Sequence, residues 1–349
     1  MDIVVTTVIL VGDLHLDDRT PVSCTDTYTQ DILDMMTWIA TLETEIGADA
    51  VVQAGDVFNC KAPARTSHAL ILRVIETFAR FKNLWIVPGN HDMSSDRLDS
   101  ITEKQPLGVV LAAGAAHLLN GWHHSLPVYG VPWQQDWTTN ADAPARAFEA
   151  WRLAPWRFEA DVEALDRSNC LAVTHAPIYP PALAERVLFD LVPTGGENGL
   201  AAAMGGVGYA YYGHIHEDHG QFIDAGATFA NVGALSRGSR TEYNLERQIK
   251  IMVWTDEHFY GAGPLTGDYS FAPGFTEVVV PHKSSAEVFT VVDAPAVAER
   301  LDLEAFLTSV GSASLEMSST ASVIAHLRAM TEVDPVVTER AVGFLEDQG

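Results

Sequence analysis

The feature that most constrains this chain is a repeated break, in which an apolar run stops abruptly at a glycine followed by side chains able to bind metal. It occurs at "VGDLH" (11–15), "AGDVFN" (54–59) and "PGNHD" (88–92), and later runs end in histidine at "VTH" (173–175) and "GHIH" (213–216). Between the early breaks the apolar residues change period. Ile32, Met35, Met36, Ile39, Leu42 and Ile46 recur at helical spacing from Tyr28, with Asp26 or Thr25 as N-cap, and Leu70, Ile71, Val74, Ile75, Phe78 and Phe81 do so again. Strand runs alternating with helices predict an α/β architecture, whose ligands gather outside the carboxyl ends of the strands. Residues 3–11 read as the first of those strands. Strand side chains alternate between faces, so Asp13 and His15 leave on one side and can aim at one point.

Composition sets the bounds. A chain of 349 residues that is 47% hydrophobic can bury a large core and has room for about two domains. Its start carries Asp2 and no basic region or small-residue cleavage pattern, so it reads as a strand rather than a signal peptide. No apolar run reaches membrane-spanning length. Cys24, Cys60 and Cys170 lie far apart without paired spacing, which argues against a disulfide framework or zinc ribbon and fits a reducing cytoplasm. The formal charge of −25 opposes nucleic acid at long range, so any phosphate ligand must be held by local groups, bound cations among them.

Residues 141–168 interleave arginine with Trp151, Trp156 and Phe158, and Pro155 breaks their helical pattern; an amphipathic surface helix pair is expected there. The glycine-rich "PTGGENGLAAAMGG" (193–206) lacks a phosphate-loop pattern and reads as a mobile loop. Further strands are expected at "ATFANVG", "RQIKIMVW" and "TEVVV". His123 and His124 fit either a turn after a strand or the border of a site. Beyond Pro281 the composition shifts to Ala, Ser, Glu and Asp with two short helical patterns, Val297 to Val310 and Ser322 to Met330. The expected division is a catalytic domain over 1–270 and a small C-terminal module over 271–349.

Gathered together, the strand ends supply Asp13, His15, Asp56, Asn90, His175, His214 and His216. Such oxygen and imidazole ligands suit manganese, iron or zinc with open positions. Seven are enough for two ions if one carboxylate bridges, and Asp56 is the expected bridge. Gly12, Gly55, Gly89 and Gly213 each allow close backbone approach just where a ligand must project.

In this order the motifs "GDLH", "GDVFN", "GNHD", "THAP" and "GHIH" resemble the calcineurin-like metallophosphoesterases over roughly residues 1–260. The resemblance implies a four-layer α/β/β/α sandwich of two sheets flanked by helices, with the small C-terminal module appended. It also implies Asp13, His15, Asp56 and His216 around one ion and Asp56, Asn90, His175 and His214 around the other. Within the superfamily, Phe58, Asp92 and "NVGALSRGSRTE" (231–242) resemble the SbcD-type DNA exonucleases, phage versions and the meiotic-recombination-eleven nuclease included. That branch implies manganese, DNA as substrate, 3′-to-5′ exonuclease and endonuclease action in repair or recombination, and an ATPase subunit of the SbcC or Rad-fifty class. A homodimer is a further expected partnership. Archaeal members carry histidine where this chain has Asn59.

His91, next to Asn90 but outside the ligand set, is placed to protonate the leaving oxygen, with Asp92 as its orienting partner. The plainer readings are an eighth metal ligand for His91 and a turn cap for Asp92. Arg237 and Arg240, with Ser236 and Ser239, are candidates for phosphate contact, against an ordinary solvated loop. The rival functions are a small-molecule phosphodiesterase or phosphatase of the same superfamily, supported by the acidic charge, and a non-catalytic scaffold, disfavoured by the complete ligand set.

Overall fold

The structure is a computed structural model that describes residues 6–94, 97–149, 167–184, 191–256, 273–290 and 328. Two mixed six-stranded sheets stack face to face. In the first, β1 (Thr7–Val11), β2 (Ala50–Gln53), β3 (Leu84–Ile86) and β4 (His117–Leu118) run parallel, and β11 (Lys250–Thr255) and β12 (Gly274–Val279) extend it antiparallel beyond β1. The second has the order β5 (Gly121–Trp122), β6 (Val128–Val131), β7 (Leu171–Thr174), β8 (Tyr209–Tyr212), β10 (Ala227–Val232), β9 (Asp218–Asp224), with only the outer pairs antiparallel.

The strands are apolar throughout because both faces of each sheet are covered. In β1, Val8 and Leu10 face the other sheet and, with Val52 and Trp254 of their own sheet, pack against Val173, Tyr211 and Val232 of the second. Ile9 and Val11 point outward beneath α1 (Tyr28–Ile46) and α2 (His68–Phe78), against Ile32, Met36, Ile39, Val74 and Phe78. The outer face of the second sheet packs Ala172, Ala210 and Tyr212 against Phe148, Leu200 and Met204. Burying each such large side chain is worth about 1.5 to 3 kcal/mol, so the period-2 pattern sets the layers.

Several local expectations change. Helix α1 begins after Thr27, whose side chain donates to Asp31 Oδ2 (2.9 Å) and makes no cap bond, in place of Asp26 or Thr25. Gly47, left-handed at φ 66°, ends it. The glycine-rich stretch is not simply a loop: it contains helix Leu200–Met204, with Leu200 and Met204 fully buried in the second core. Strand β9 escapes sequence reading because it is a polar edge, alternating exposed Ile223 with half-buried Phe222. His123 and His124 sit in the turn joining β5 to β6, with His123 Nδ1 accepting from the backbone N–H of Ser125 and Leu126.

The first compact unit reaches Thr290, twenty residues past the expected boundary at 270, because β12 completes the first sheet and Val288 and Phe289 enter its core. Residues 291–349 form the second unit. The helical patterns expected there, and Trp151, Trp156 and Phe158, lie outside the described residues, apart from a helical Arg328. Among the described residues no helix is long and apolar enough to cross a membrane.

Candidate metal centre and its cleft

The carboxyl ends of the central strands converge from both sheets. Asp13 and His15 follow β1, Asp56 follows β2 and Asn90 follows β3, while His175 follows β7 and His214 and His216 follow β8. All seven expected ligands meet. Asp13, His15 and His216 form one group, and Asp56, His175 and His214 another, with the ligand atoms of each group within 4.8 Å of one another. Asn90 Oδ1 lies 3.2 Å from both His175 Nε2 and His214 Nδ1. Asp56 Oδ2 stands between the groups, 3.7 Å from His15 Nε2 and 3.4 Å from His175 Nε2, the placement a bridging carboxylate needs.

Close packing explains the glycines. A Cβ on Gly89 would overlap Asp56 Oδ1, and one on Gly55, itself at φ 104°, would overlap His175 Nδ1. Buried Gln53 braces the first two turns, donating to Gly12 O (3.2 Å) and Gly55 O (2.5 Å) while accepting from Gly55 N (3.0 Å). Three of the seven residues are themselves left-handed, His15 at φ 48°, Asp56 at 54° and His214 at 74°. Such backbones cost about 1 to 3 kcal/mol each and persist only where surroundings enforce them. Here Asp56 O accepts from the backbone N–H of both Leu14 (3.1 Å) and His15 (2.9 Å), locking the two turns together.

The electrostatics fit divalent cations. Asp13 and Asp56 are almost fully buried and face mainly imidazoles. Burial opposes their ionisation, yet the neighbouring histidines hold Asp13 well below the usual range and Asp56 at about 2. Burial likewise disfavours a charged His175, but Asp56 outweighs it and lifts the imidazole to about 9. His175 Nδ1 donates to Ala54 O (2.7 Å), leaving Nε2 turned toward Asp56 and Asn90. His15 Nε2 and His216 Nε2 face each other at 2.8 Å, and His15 Nδ1 is buried without a partner among the described residues. Burial and the nearby His175 push His214 down to about 4, so it is neutral, as a ligand must be.

Asp92 does not orient His91. Its buried carboxylate accepts backbone N–H bonds from Asp56 (2.9 Å), Gly89 (3.0 Å), Val57 (3.1 Å) and Phe58 (3.5 Å), so it braces the turn that presents Asp56, close to the turn-capping alternative. Burial and the charge of Asp56 raise Asp92 to about 7. His91 is held instead through Nδ1, 2.7 Å from the Asn59 carbonyl. Asn59 thus acts through its backbone, whatever its side chain. With Nδ1 so engaged, Nε2 is left for the site, where His91 groups with His15 and Asp56.

A cleft of about 660 Å³ opens above this floor. His15, Asp56, His91, His214 and His216 line its base; Arg19 to Val22 form one wall, and Ser236, Ser239 and Asn244 the other. Ser236 and Ser239 are where the sequence reading puts them, but the two arginines are not at the cleft. Arg237 is buried and bonded to Lys283 O (2.6 Å) and Ser285 Oγ (3.3 Å). Arg240 is exposed and outside the lining. The residue that sequence reasoning missed is Arg19, the one lysine or arginine in the lining among the described residues. Its only signal is its place in "HLDDRT", directly after the first motif.

The model of the calcineurin-like phosphoesterase family matches residues 6–218, more than half of the chain and all five motifs up to His216. The chain belongs to that family. The two Asp/His groups of this calcineurin-like phosphoesterase are where divalent ions can sit. No curated protein matches it. Among solved structures it is similar to a putative 5′-nucleotidase from Staphylococcus aureus, crystallised in complex with alpha-ketoglutarate, at 13% identity and a TM-score of 0.43. That match covers 86% of this chain and 58% of the other, so this phosphoesterase spans less than two thirds of that protein's length.

Proposed function

We propose that this phosphoesterase is a manganese-dependent DNA nuclease of SbcD type, cleaving phosphodiesters from DNA ends and within strands during repair or recombination. The observation that supports it is a cleft of about 660 Å³, more than one phosphate fills, whose lining includes Arg19, Val22 and Asn244 as well as the metal floor. Two manganese ions, held by Asp13, His15, Asp56 and His216 and by Asp56, Asn90, His175 and His214, would neutralise the phosphate and activate water for in-line displacement. His91 supplies the proton for the departing sugar oxygen from Nε2, its ring fixed by Asn59 O. Arg19 holds a phosphate next to the scissile one. An SbcC or Rad-fifty-class ATPase docking on residues 291–349 belongs to the same reading.

One observation favours a small-molecule phosphodiesterase or phosphatase instead. Among the described residues a single arginine lines the cleft, the chain's net charge is −25, and Arg237 is spent elsewhere. The deciding assay compares end-labelled duplex, closed circular DNA, an aryl phosphodiester and a phosphomonoester under millimolar manganese. Degradation of the duplex, with a shallow salt dependence because few counterions are released, is expected. Arg19→Ala should weaken duplex cleavage while sparing the aryl diester. Efficient monoester turnover with untouched DNA would overturn the nuclease reading and leave the family intact.

A further inference from the structure

Both walls of the cleft are fastened from behind by one segment, Lys283–Thr290. On the first wall, Thr290 N–H donates to Ser23 O (3.0 Å) and Thr25 N–H to Val288 O (2.8 Å), and Cys24 pairs with Phe289 as an isolated antiparallel bridge. These residues directly follow Arg19 to Val22. Lys283 Nζ adds contacts at the start of α1, to Asp31 Oδ1 (2.7 Å) and Thr27 Oγ1 (3.1 Å). On the second wall, Arg237 lies between the lining residues Ser236 and Gly238 and reaches back to the strap through Lys283 O and Ser285 Oγ. Its guanidinium also lies 5.8 Å from the Phe289 ring centroid. Ser285 Oγ continues the chain of bonds to Leu245 O (2.6 Å), next to the lining residue Asn244. Cys24 Sγ joins the walls once more by donating to Arg237 O (3.3 Å).

We propose that Arg237 is a positioning residue for substrate: by gripping the strap Lys283–Thr290 it sets the separation of the Arg19–Val22 and Ser236–Asn244 walls, without touching the metal floor. The proposal rests on the cleft being the substrate site of the phosphodiesterase proposed above. Charge alone does not account for such a residue. A buried guanidinium aimed at a backbone carbonyl and a hydroxyl fixes geometry, and its two directed bonds span elements 46 and 48 residues apart in sequence. Substrates that reach both walls should feel the grip, and substrates confined to the metals should not.

The test compares Arg237→Met, Arg237→Lys and Ser285→Ala with the parent enzyme on duplex DNA and on an aryl phosphodiester, with bound manganese measured in each. Arg237→Met should raise KM for DNA about 3- to 10-fold, the scale of one or two lost hydrogen bonds, while kcat, manganese content and aryl diester turnover stay at parent levels. Arg237→Lys, able to keep one bond to Lys283 O, should recover part of the loss. Ser285→Ala should shift KM in the same direction by less, and it decides the matter if Arg237→Met does not fold. Equal losses on both substrates with manganese loss, or an unchanged KM in folded variants, would overturn the proposal. Failure of the nuclease reading shows separately, in the parent enzyme; the same comparison then runs on the substrate that enzyme does cleave.

Discussion

On the floor of the cleft, seven ligand-type side chains leave the ends of strands whose registers are pinned by buried alternation, and each turn is braced by its neighbours. The walls are the irregular segment 19–25 and residues 236–244, a loop that runs into helix Glu242–Glu246, held together by a strap that arrives from residues 283–290. Both regions use a buried charged residue as a brace, Asp92 below the floor and Arg237 behind the wall. Their targets differ. Asp92 gathers N–H groups from the turn that presents Asp56, so its loss should reach the metals, whereas Arg237 grips a strap and should reach only substrate. Chemistry is therefore expected to be separable from binding in this phosphoesterase.

The sharpest way to break that separation is on the floor itself. Asp56→Asn should abolish turnover and lower bound manganese together, because a bridging ligand loses its charge. His91→Gln should keep its manganese and lose turnover by about 10² to 10⁴, as for a proton donor. Metal analysis of the two purified variants is the check, and equal metal loss in both would make His91 a ligand. Asp92→Ala comes next. Four backbone N–H groups would lose their acceptor, for an expected cost of about 3 to 5 kcal/mol in denaturant unfolding, accompanied by weaker manganese binding. Intact stability and metal with lost turnover would return Asp92 to the role of orienting His91.

Truncation sharpens the comparison on the wall side. Removing residues 291–349 should leave aryl diester hydrolysis and DNA KM near parent values, while removing everything from 281 strips the strap and should raise DNA KM and lower the melting temperature. The smallest effect lies outside both regions. His123 is buried, and burial together with His124 and His117 pushes it down to about 4. The unfolded chain takes up its proton near pH 6.5, so this residue's contribution is full above that pH and is lost as pH falls toward 4. His123→Gln should flatten the melting temperature profile over that window. An unchanged slope would move the acid sensitivity to other groups.

Much of the fold was legible because burial imposes periodicity. The short unbroken apolar run Val8 to Val11, stopped at Gly12, reads as a strand buried on both faces, and the 3.6-residue repeat from Tyr28 to Ile46 reads as a helix. The metal cluster was legible for another reason: ligand-type side chains directly after five apolar runs mark the strand ends where they gather, although turns past those ends, left-handed at His15 and His214, aim them. Strand β9 was hidden because its apolar Phe222 and Ile223 are adjacent within a polar edge, and helix Leu200–Met204 because its flanking glycines resemble a loop.

What the sequence determined by itself was thus the layered α/β frame and the seven side chains that meet at its strand ends. Tertiary structure alone decided how the remaining polar residues are used. Asp92 and Arg237 have the chemistry of a catalytic partner and a phosphate clamp, but groups from segments distant in sequence, Asp56 N–H for one and Lys283 O for the other, are what they bond. Arg19, unremarked in sequence, lines the cleft instead. The left-handed backbones of His15 and Asp56 belong to the same class, since bonds from Leu14 and His15 N–H to Asp56 O lock their turns together. Side-chain type sets what a residue can bind, and only the packing of remote segments sets which partner arrives.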